Sequence, residues 1–221
     1  MTAPWPAGPE RAGAVAGEVH LWLASLEDGD YPPPDGLPAP ERERAESFLR
    51  PEVAARWVAS RWALRQVLAA YLAQPPAEIE IAVGEHGKPR LAGGDVEFNL
   101  SHSGDVALVA VTAGREVGVD VECVDPERDF PALAERGLDA EVAAAVRAAP
   151  ADEQSLLFHR SWARHEAELK CLGVGLAGKR APQERLAVAE VEVGPGYVVA
   201  VAVRGRETGT LRCWSLPASA T

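Results

Sequence analysis

Apolar and polar positions alternate with a period of two over residues 18–26, where Val19, Leu21 and Leu23 fall on one side. That period predicts a strand. The run YPPPDGLPAP (31–40) admits no helix and reads as a linker. Residues 41–49 and 51–73 read as helices. Pro51 suits a first turn, and Val53, Trp57, Leu64, Val67, Leu68 and Tyr71 recur at helical spacing. Ile79 and Ile81 alternate with Glu78 and Glu80, and EHGKPR (85–90) reads as a turn. Strands are predicted over 96–100, 106–112 and 117–122, then helices over 139–148 and 152–172. Three strands, 186–193, 197–203 and 210–216, are expected to close the chain as antiparallel neighbours.

The second half repeats the order of the first. SRWALRQVLAAYLA (60–73) and RSWARHEAELKCLG (160–173) align on Trp62 and Trp162, a weak trace of an internal repeat. The fold class inferred is α+β: two similar lobes, a pseudo-dimer, each a small antiparallel sheet packed on a long helix. The expected division is a flexible N-terminus (1–17), an N-terminal lobe (18–112), a C-terminal lobe (113–216) and a tail (217–221).

Composition narrows the function classes. The chain has 221 residues, 47% hydrophobic and 25% charged, enough for a globular protein with two lobes of roughly 100 residues each. Asp and Glu number 33 against 22 Lys and Arg, a net charge of −11, which argues against a nucleic-acid binder working by bulk charge. No stretch of eighteen apolar residues predicts a membrane span. The N-terminal residues lack the basic start and apolar core of a secretory signal, so a cytoplasmic location is expected. Cys123, Cys171 and Cys213 lie far apart and form no CxxC, which fits a reducing compartment better than a disulfide framework or zinc site.

The densest chemistry lies in GVDVE (118–122). On a strand, Asp120 and Glu122 project to one side and Val119 and Val121 to the other. Two carboxylates side by side repel unless a cation lies between them; otherwise they form a solvated strand face. In SWARHEAELKCLG, Trp162, Glu166 and Lys170 share one helix face. Glu166 and Lys170 by themselves suit a helix-supporting ion pair. Beside Asp120 and Glu122, Glu166 would complete an all-oxygen site for Mg²⁺ or Mn²⁺, and Lys170 would suit a phosphate. FNLSHSG (98–104) ends a strand. Its Ser and His read either as phosphate ligands or as a turn bonding its own backbone, and the spacing is wrong for a nucleophile elbow.

Two motif matches are rejected. GVGLAG (173–178) fits a dinucleotide fingerprint and, with Lys179, nearly fits a P-loop. It follows a helix rather than a strand, and Arg180 stands where a P-loop needs Ser or Thr. Gly173 and Gly175 read instead as a helix stop. A Cys–His nucleophile is set aside, because alternation turns Cys123 away from Glu122.

Taken in order, HGKPRL (86–91), FNLSHSGDVALVAV (98–111), GVDVE (118–122) and WARHEAELKCLGVGL (162–176) resemble the 4′-phosphopantetheinyl transferases of the surfactin-synthetase type. The resemblance spans about residues 41–203. It implies transfer of the phosphopantetheine arm of coenzyme A to a serine of an apo acyl or peptidyl carrier protein, releasing adenosine 3′,5′-bisphosphate. It further implies that Asp120, Glu122 and Glu166 hold Mg²⁺, that Glu166 is a candidate base, and that Lys170 neutralises the pyrophosphate. Glu141 falls where the family often has a glutamate near the metal; it and a metal-bound water are the rival bases. The resemblance gives the 3′-phosphate to His102 and Arg56, with Arg44 a weaker match, and the nucleotide to Lys88 and Ser101. The chain departs at His165, where Lys is common and the neighbouring Arg164 offers a substitute, and at Val174.

Two further readings stand beside this one: another Mg²⁺-dependent phosphoryl transferase or hydrolase, and a coenzyme A or carrier binder without turnover. The carrier is expected to dock on a mostly apolar patch with a few Arg near the lobe junction, because acidic carriers would be repelled by this chain's overall charge. A working monomer is expected, since two lobes in one chain can form a shared site.

Overall fold

The computed structural model describes residues 5–27, 31–84, 86–175 and 184–217. The first half runs β1 (Glu18–Ser25), α1 (Ala39–Glu46), α2 (Pro51–Leu72), the short β2 (Ile81–Val83) and β3 (Pro89–Leu91), then β4 (Val96–Ser103) and β5 (Val106–Ala113). The second runs β6 (Val117–Cys123), α3 (Phe130–Gly137), α4 (Ala140–Ala148), α5 (Ala151–Leu172), β7 (Leu186–Glu190), β8 (Tyr197–Arg204) and β9 (Thr210–Ser215). One sheet has the order β4-β5-β1-β9 and a second β6-β8-β7, with β2 and β3 paired apart.

The period-two patterns sort each strand's residues between two faces. Val19, Leu21, Leu23, Leu108 and Ala110 of the first sheet meet Val117, Val119, Val121, Val199 and Val201 of the second in a shared core. The opposite faces take the long helices. Trp22, Phe98, Val109 and Val111 pack on Leu64, Val67 and Leu68 of α2. Val198, Ala200 and Ala202 pack on Ala163, Ala167 and Cys171 of α5. The result is four layers, helix–sheet–sheet–helix, with the lobes joined through apolar area that neither could bury alone. The α+β class with two lobes is thus observed. Both long helices have 22 residues and stop at a left-handed residue, Ala73 and Gly173.

The small residues between α5 and the second sheet allow a close approach. A Cβ placed on Gly118 would lie 2.1 Å from the Ala167 carbonyl oxygen and 2.2 Å from the Cys171 nitrogen. Glycine at 118 is therefore a packing requirement, and it sets how far α5 stands from β6.

Apart from shifted element ends and the short β3, which takes up Pro89 and Arg90 of the expected turn, the structure departs from the sequence-based expectation in three places. First, β9 does not pair antiparallel with β8; it crosses to the first sheet and lies parallel to β1, with Leu21 opposite Cys213. Parallel pairing needs a crossover and carries no hairpin signal, so the apolar pattern cannot reveal which edge a last strand joins. Arg115 steadies the crossing by donating to the carbonyls of Glu207 and Thr208 at 3.0 and 2.9 Å.

Second, the segment read as loose over 1–17 is held from Trp5 onward. Gly8 N donates to Ser215 O and Ser215 N to Pro6 O, so the chain extends along β9. Trp5 packs on the shared core, and Ala12 and Ala14 pack on the α2 side. Proline and glycine forbid a helix here but not an extended strap. Third, α3 lies where the periodicity predicts no element. Its signal was present: Asp129 caps Ala132 N, with proline in the first turn.

Candidate active site

Asp120 and Glu122 leave β6 on the side facing α5, as alternation requires, because Val119 and Val121 face the shared core. Glu166 and Lys170, one turn apart on α5, meet them. The Lys170 ammonium lies 2.5 Å from Asp120 Oδ1 and 3.2 Å from Glu166 Oε2. It also donates to Ser101 Oγ at 3.1 Å, and Ser101 donates to Asp120 Oδ1 at 2.8 Å.

Burial sets the electrostatics. Asp120 is only 2% exposed. Desolvation raises its pKa to about 6 against the pull of Lys170. Desolvation, then the charges of Asp120 and Glu166, push Glu122 up to about 7. Burial would lower the Lys170 pKa, but the Asp120 and Glu166 carboxylates outweigh it and the net shift is upward. The cluster holds more negative charge than one ammonium balances.

Among the described residues, no three Asp, Glu, His or Cys side chains already stand as a metal-ligand set. Lys170 instead bridges Asp120 and Glu166 as their cation. The donor chemistry nonetheless fits a hard divalent ion. Asp120 Oδ2 is buried with no hydrogen-bond partner, and every nearby acidic ligand is an oxygen. Asp120, Glu122 and Glu166 could hold such an ion, with Lys170 free to turn to a phosphate.

Beside the cluster opens a cleft of about 280 Å³ between the lobes. His86, Lys88 and Asn99 line it from one side, and Glu166, Lys170 and Gly173 from the other. Lys88 is buried and donates to the carbonyls of Val117 and Cys171 at 3.1 and 2.9 Å, which ties its turn to β6 and α5. Burial lowers its pKa.

The remaining expected site residues lie further out. His102 follows Ser101 on β4 and presents an accessible ring; crowding by protein atoms, then the Lys170 charge, lowers its pKa. Arg56 of α2 pairs with Asp105 at 2.9 Å and is half exposed. Arg44 of α1 stacks over Phe48, its guanidinium carbon 5.0 Å from the ring centroid. Glu141 is exposed in the first turn of α4. No described contact joins Arg44 or Glu141 to the carboxylate cluster.

Gly173 caps α5 at φ +66, as a helix stop should. Residues 176–183, which include Leu176, Lys179 and Arg180, lie outside the described residues, as does Glu85. Arg164, next to His165, faces Glu190 of β7 together with Arg160, each about 3.6 Å away. His165 lies against Trp162, ring centroids 6.1 Å apart, and Trp162 itself stacks on Phe158. Cys171 is fully buried, and desolvation raises its thiol to about 11, which suits packing rather than nucleophilic attack.

Two contacts were not anticipated. Ser103 Oγ lies 3.4 Å from Glu122 Oε2, and Asn99 Oδ1 accepts from Val119 N at 2.9 Å. Their signal is the row of small polar residues at 99, 101 and 103, which alternation puts on one side of β4.

Comparison with known proteins accords with this geometry. A family model described as the 4′-phosphopantetheinyl transferase superfamily matches residues 116–216, and one for the N-terminal part of a 4′-phosphopantetheinyl transferase matches 35–114. The 4′-phosphopantetheinyl transferase HetI of Nostoc sp. is 34% identical over 180 residues, covering 78% of this chain and 76% of that protein. The 4′-phosphopantetheinyl transferase AcpT of Escherichia coli K12 is 36% identical over 138 residues, 62% of this chain and 66% of its own length. The L-aminoadipate-semialdehyde dehydrogenase-phosphopantetheinyl transferase of Xenopus laevis is 32% identical over 148 residues, 62% of this chain and 49% of that one. These relatives are of the HetI, AcpT and aminoadipate-semialdehyde types, so they support the superfamily rather than the surfactin-synthetase type. The chain is a transferase and belongs to the 4′-phosphopantetheinyl transferase superfamily.

Proposed function

We propose that this enzyme transfers the 4′-phosphopantetheine arm of coenzyme A to a serine of an apo acyl or peptidyl carrier protein, in a reaction dependent on Mg²⁺ or Mn²⁺. The observation that carries the reading is the cluster of buried Asp120 with Glu166 and Lys170 beside the interlobe cleft, with one Asp120 oxygen left without a partner.

In this reading the serine Oγ attacks the pantetheine-bearing phosphorus of the pyrophosphate. A new P–O bond forms and the bond to the bridging oxygen breaks, so adenosine 3′,5′-bisphosphate leaves with the electron pair. A divalent ion held by Asp120, Glu122 and Glu166 would supply charge stabilisation at the pyrophosphate. Lys170 turns from Asp120 to the departing phosphate and offsets the charge developing there. Glu166 or Glu141 takes the serine proton. The exposure of Glu141 suits it to a base that an incoming carrier meets directly. His102, Arg56 and Arg44 grip the 3′-phosphate, and Lys88 and Ser101 line the nucleotide's path. The N-terminal lobe then chiefly binds coenzyme A and the C-terminal lobe carries the chemistry. A cytoplasmic monomer of the surfactin-synthetase type, serving carriers of secondary metabolism, completes the reading.

The test is the intact mass of apo carriers after incubation with the enzyme, coenzyme A and Mg²⁺, using peptide-synthetase, polyketide and fatty-acid carriers. A gain of one phosphopantetheine, lost with EDTA and with Asp120→Ala, is expected. Preference for peptide-synthetase carriers would support the finer type. Coenzyme A binding with no gain on any carrier would overturn the proposal in favour of a binding protein.

A further inference from the structure

Strands β4 and β6 are edge strands of different sheets and share no backbone ladder. β8 pairs with one edge of β6. The other edge would leave a row of amides without partners, buried at Val119 and Val121 and at the surface at Cys123, and an unpaired buried amide is costly. Three side chains of β4 meet them. Asn99 Oδ1 accepts from Val119 N at 2.9 Å, Ser101 Oγ from Val121 N at 3.3 Å, and Ser103 Oγ from Cys123 N at 3.0 Å. The spacing is two residues on both strands, so each rung repeats the last.

The same hydroxyls touch the acidic pair. Ser101 takes the Val121 amide and donates to the carboxylate of the preceding residue, Asp120. Ser103 takes the Cys123 amide and lies 3.4 Å from the carboxylate of the preceding residue, Glu122. A hydroxyl has one donor and two acceptor sites, so one serine can do both. At the Asn99 rung the preceding residue is Gly118, where packing on α5 excludes any side chain. A ladder built only to weld the lobes would have no reason to place a hydroxyl at each carboxylate and an amide at the rung that lacks one.

We propose that Asn99, Ser101 and Ser103 form a side-chain ladder that fixes β6 against β4 and orients Asp120 and Glu122 for the cation, with Asn99 and Ser103 as positioning residues. The part concerning the cation rests on the proposed function; the ladder itself does not.

The experiment compares wild type, Ser103→Ala and Ser103→Thr by three measurements. These are hydrogen exchange at the Cys123 amide, Mn²⁺ binding by electron paramagnetic resonance, and coenzyme A affinity without metal. Ser103→Ala is expected to speed Cys123 exchange and weaken Mn²⁺ by about tenfold, the usual cost of losing a group that orients a ligand. Metal-free coenzyme A affinity should hold, kcat should fall with KM for coenzyme A unchanged, and Ser103→Thr should restore both losses. Unchanged exchange and Mn²⁺ affinity in Ser103→Ala would overturn the proposal. So would a Thr variant as weak as Ala, or a fall in metal-free coenzyme A affinity, which would make Ser103 a ligand contact. If wild type binds no Mn²⁺, the metal reading fails, and exchange at Cys123 then decides the ladder.

Discussion

Lys170 Nζ stands 2.5 Å from Asp120 Oδ1, and that carboxylate is almost wholly buried. One ammonium thus neutralises the deepest acid of the site, while the other oxygen of the same acid has no partner. Removing the ammonium strands a buried charge. Lys170→Met is expected to cost about 3 kcal/mol in urea unfolding and to lower turnover by about 100-fold. Adding Asp120→Asn should recover much of the stability and none of the activity. Strictly additive losses in the double variant would show the two groups to be uncoupled.

The acidic pair sets a pH dependence with a definite sign. Asp120 and Glu122 titrate near 6 and 7, above their ordinary values, so the folded protein holds protons that the unfolded chain releases. Their contribution to stability is full below the unfolded values near 4 and is lost as pH rises through 6 to 7. In EDTA, the melting temperature of wild type relative to Glu122→Gln should therefore fall between pH 5 and 8. Mg²⁺ competes with those protons, so its stabilising effect should grow over the same interval. A wild type that gains on Glu122→Gln as pH rises would contradict the assignment.

Gly118 is held by contact rather than by backbone angle. A methyl there meets the α5 backbone at 2.1 to 2.2 Å, and no side chain can swing aside to admit it. Gly118→Ala should cost at least about 3 kcal/mol and move Glu166 and Lys170 away from Asp120. Thermal melts and turnover on the soluble fraction would check both. A fully stable, fully active variant would mean that α5 slides without consequence.

The N-terminal strap should matter to stability. Deleting residues 1–12 removes the Trp5 contact with the shared core and the bonds along β9. A fall of several degrees in melting temperature is expected, with little change in KM for coenzyme A because the cleft lies elsewhere. A neutral deletion would restore the picture of a loose tail.

Much of the site was legible because its logic is local. Alternation alone placed Asp120 and Glu122 opposite Val119 and Val121, and helical spacing alone set Glu166 over Lys170. Neither period shows that the two elements touch. That depends on Gly118 and on the small residues at 163, 167, 200 and 202, which bring α5 onto the second sheet. Ser101 illustrates the limit. The motif marked it as a phosphate or nucleotide contact, and the structure shows it bonded to Asp120, Val121 N and Lys170.

By itself, then, the sequence determined most of the strands and both long helices, which side of each is apolar, and which acids share a face. These follow from periods of 2 and 3.6 residues, which are properties of neighbouring backbone. The tertiary structure alone decided that β9 crosses to β1, that the N-terminal segment straps it, that Lys170 bridges Asp120 and Glu166, and that β4 side chains close the edge of β6. Each of those contacts joins residues far apart along the chain, and their free energy comes from burying apolar surface and pairing buried polar atoms. No local period encodes which distant partner will supply them.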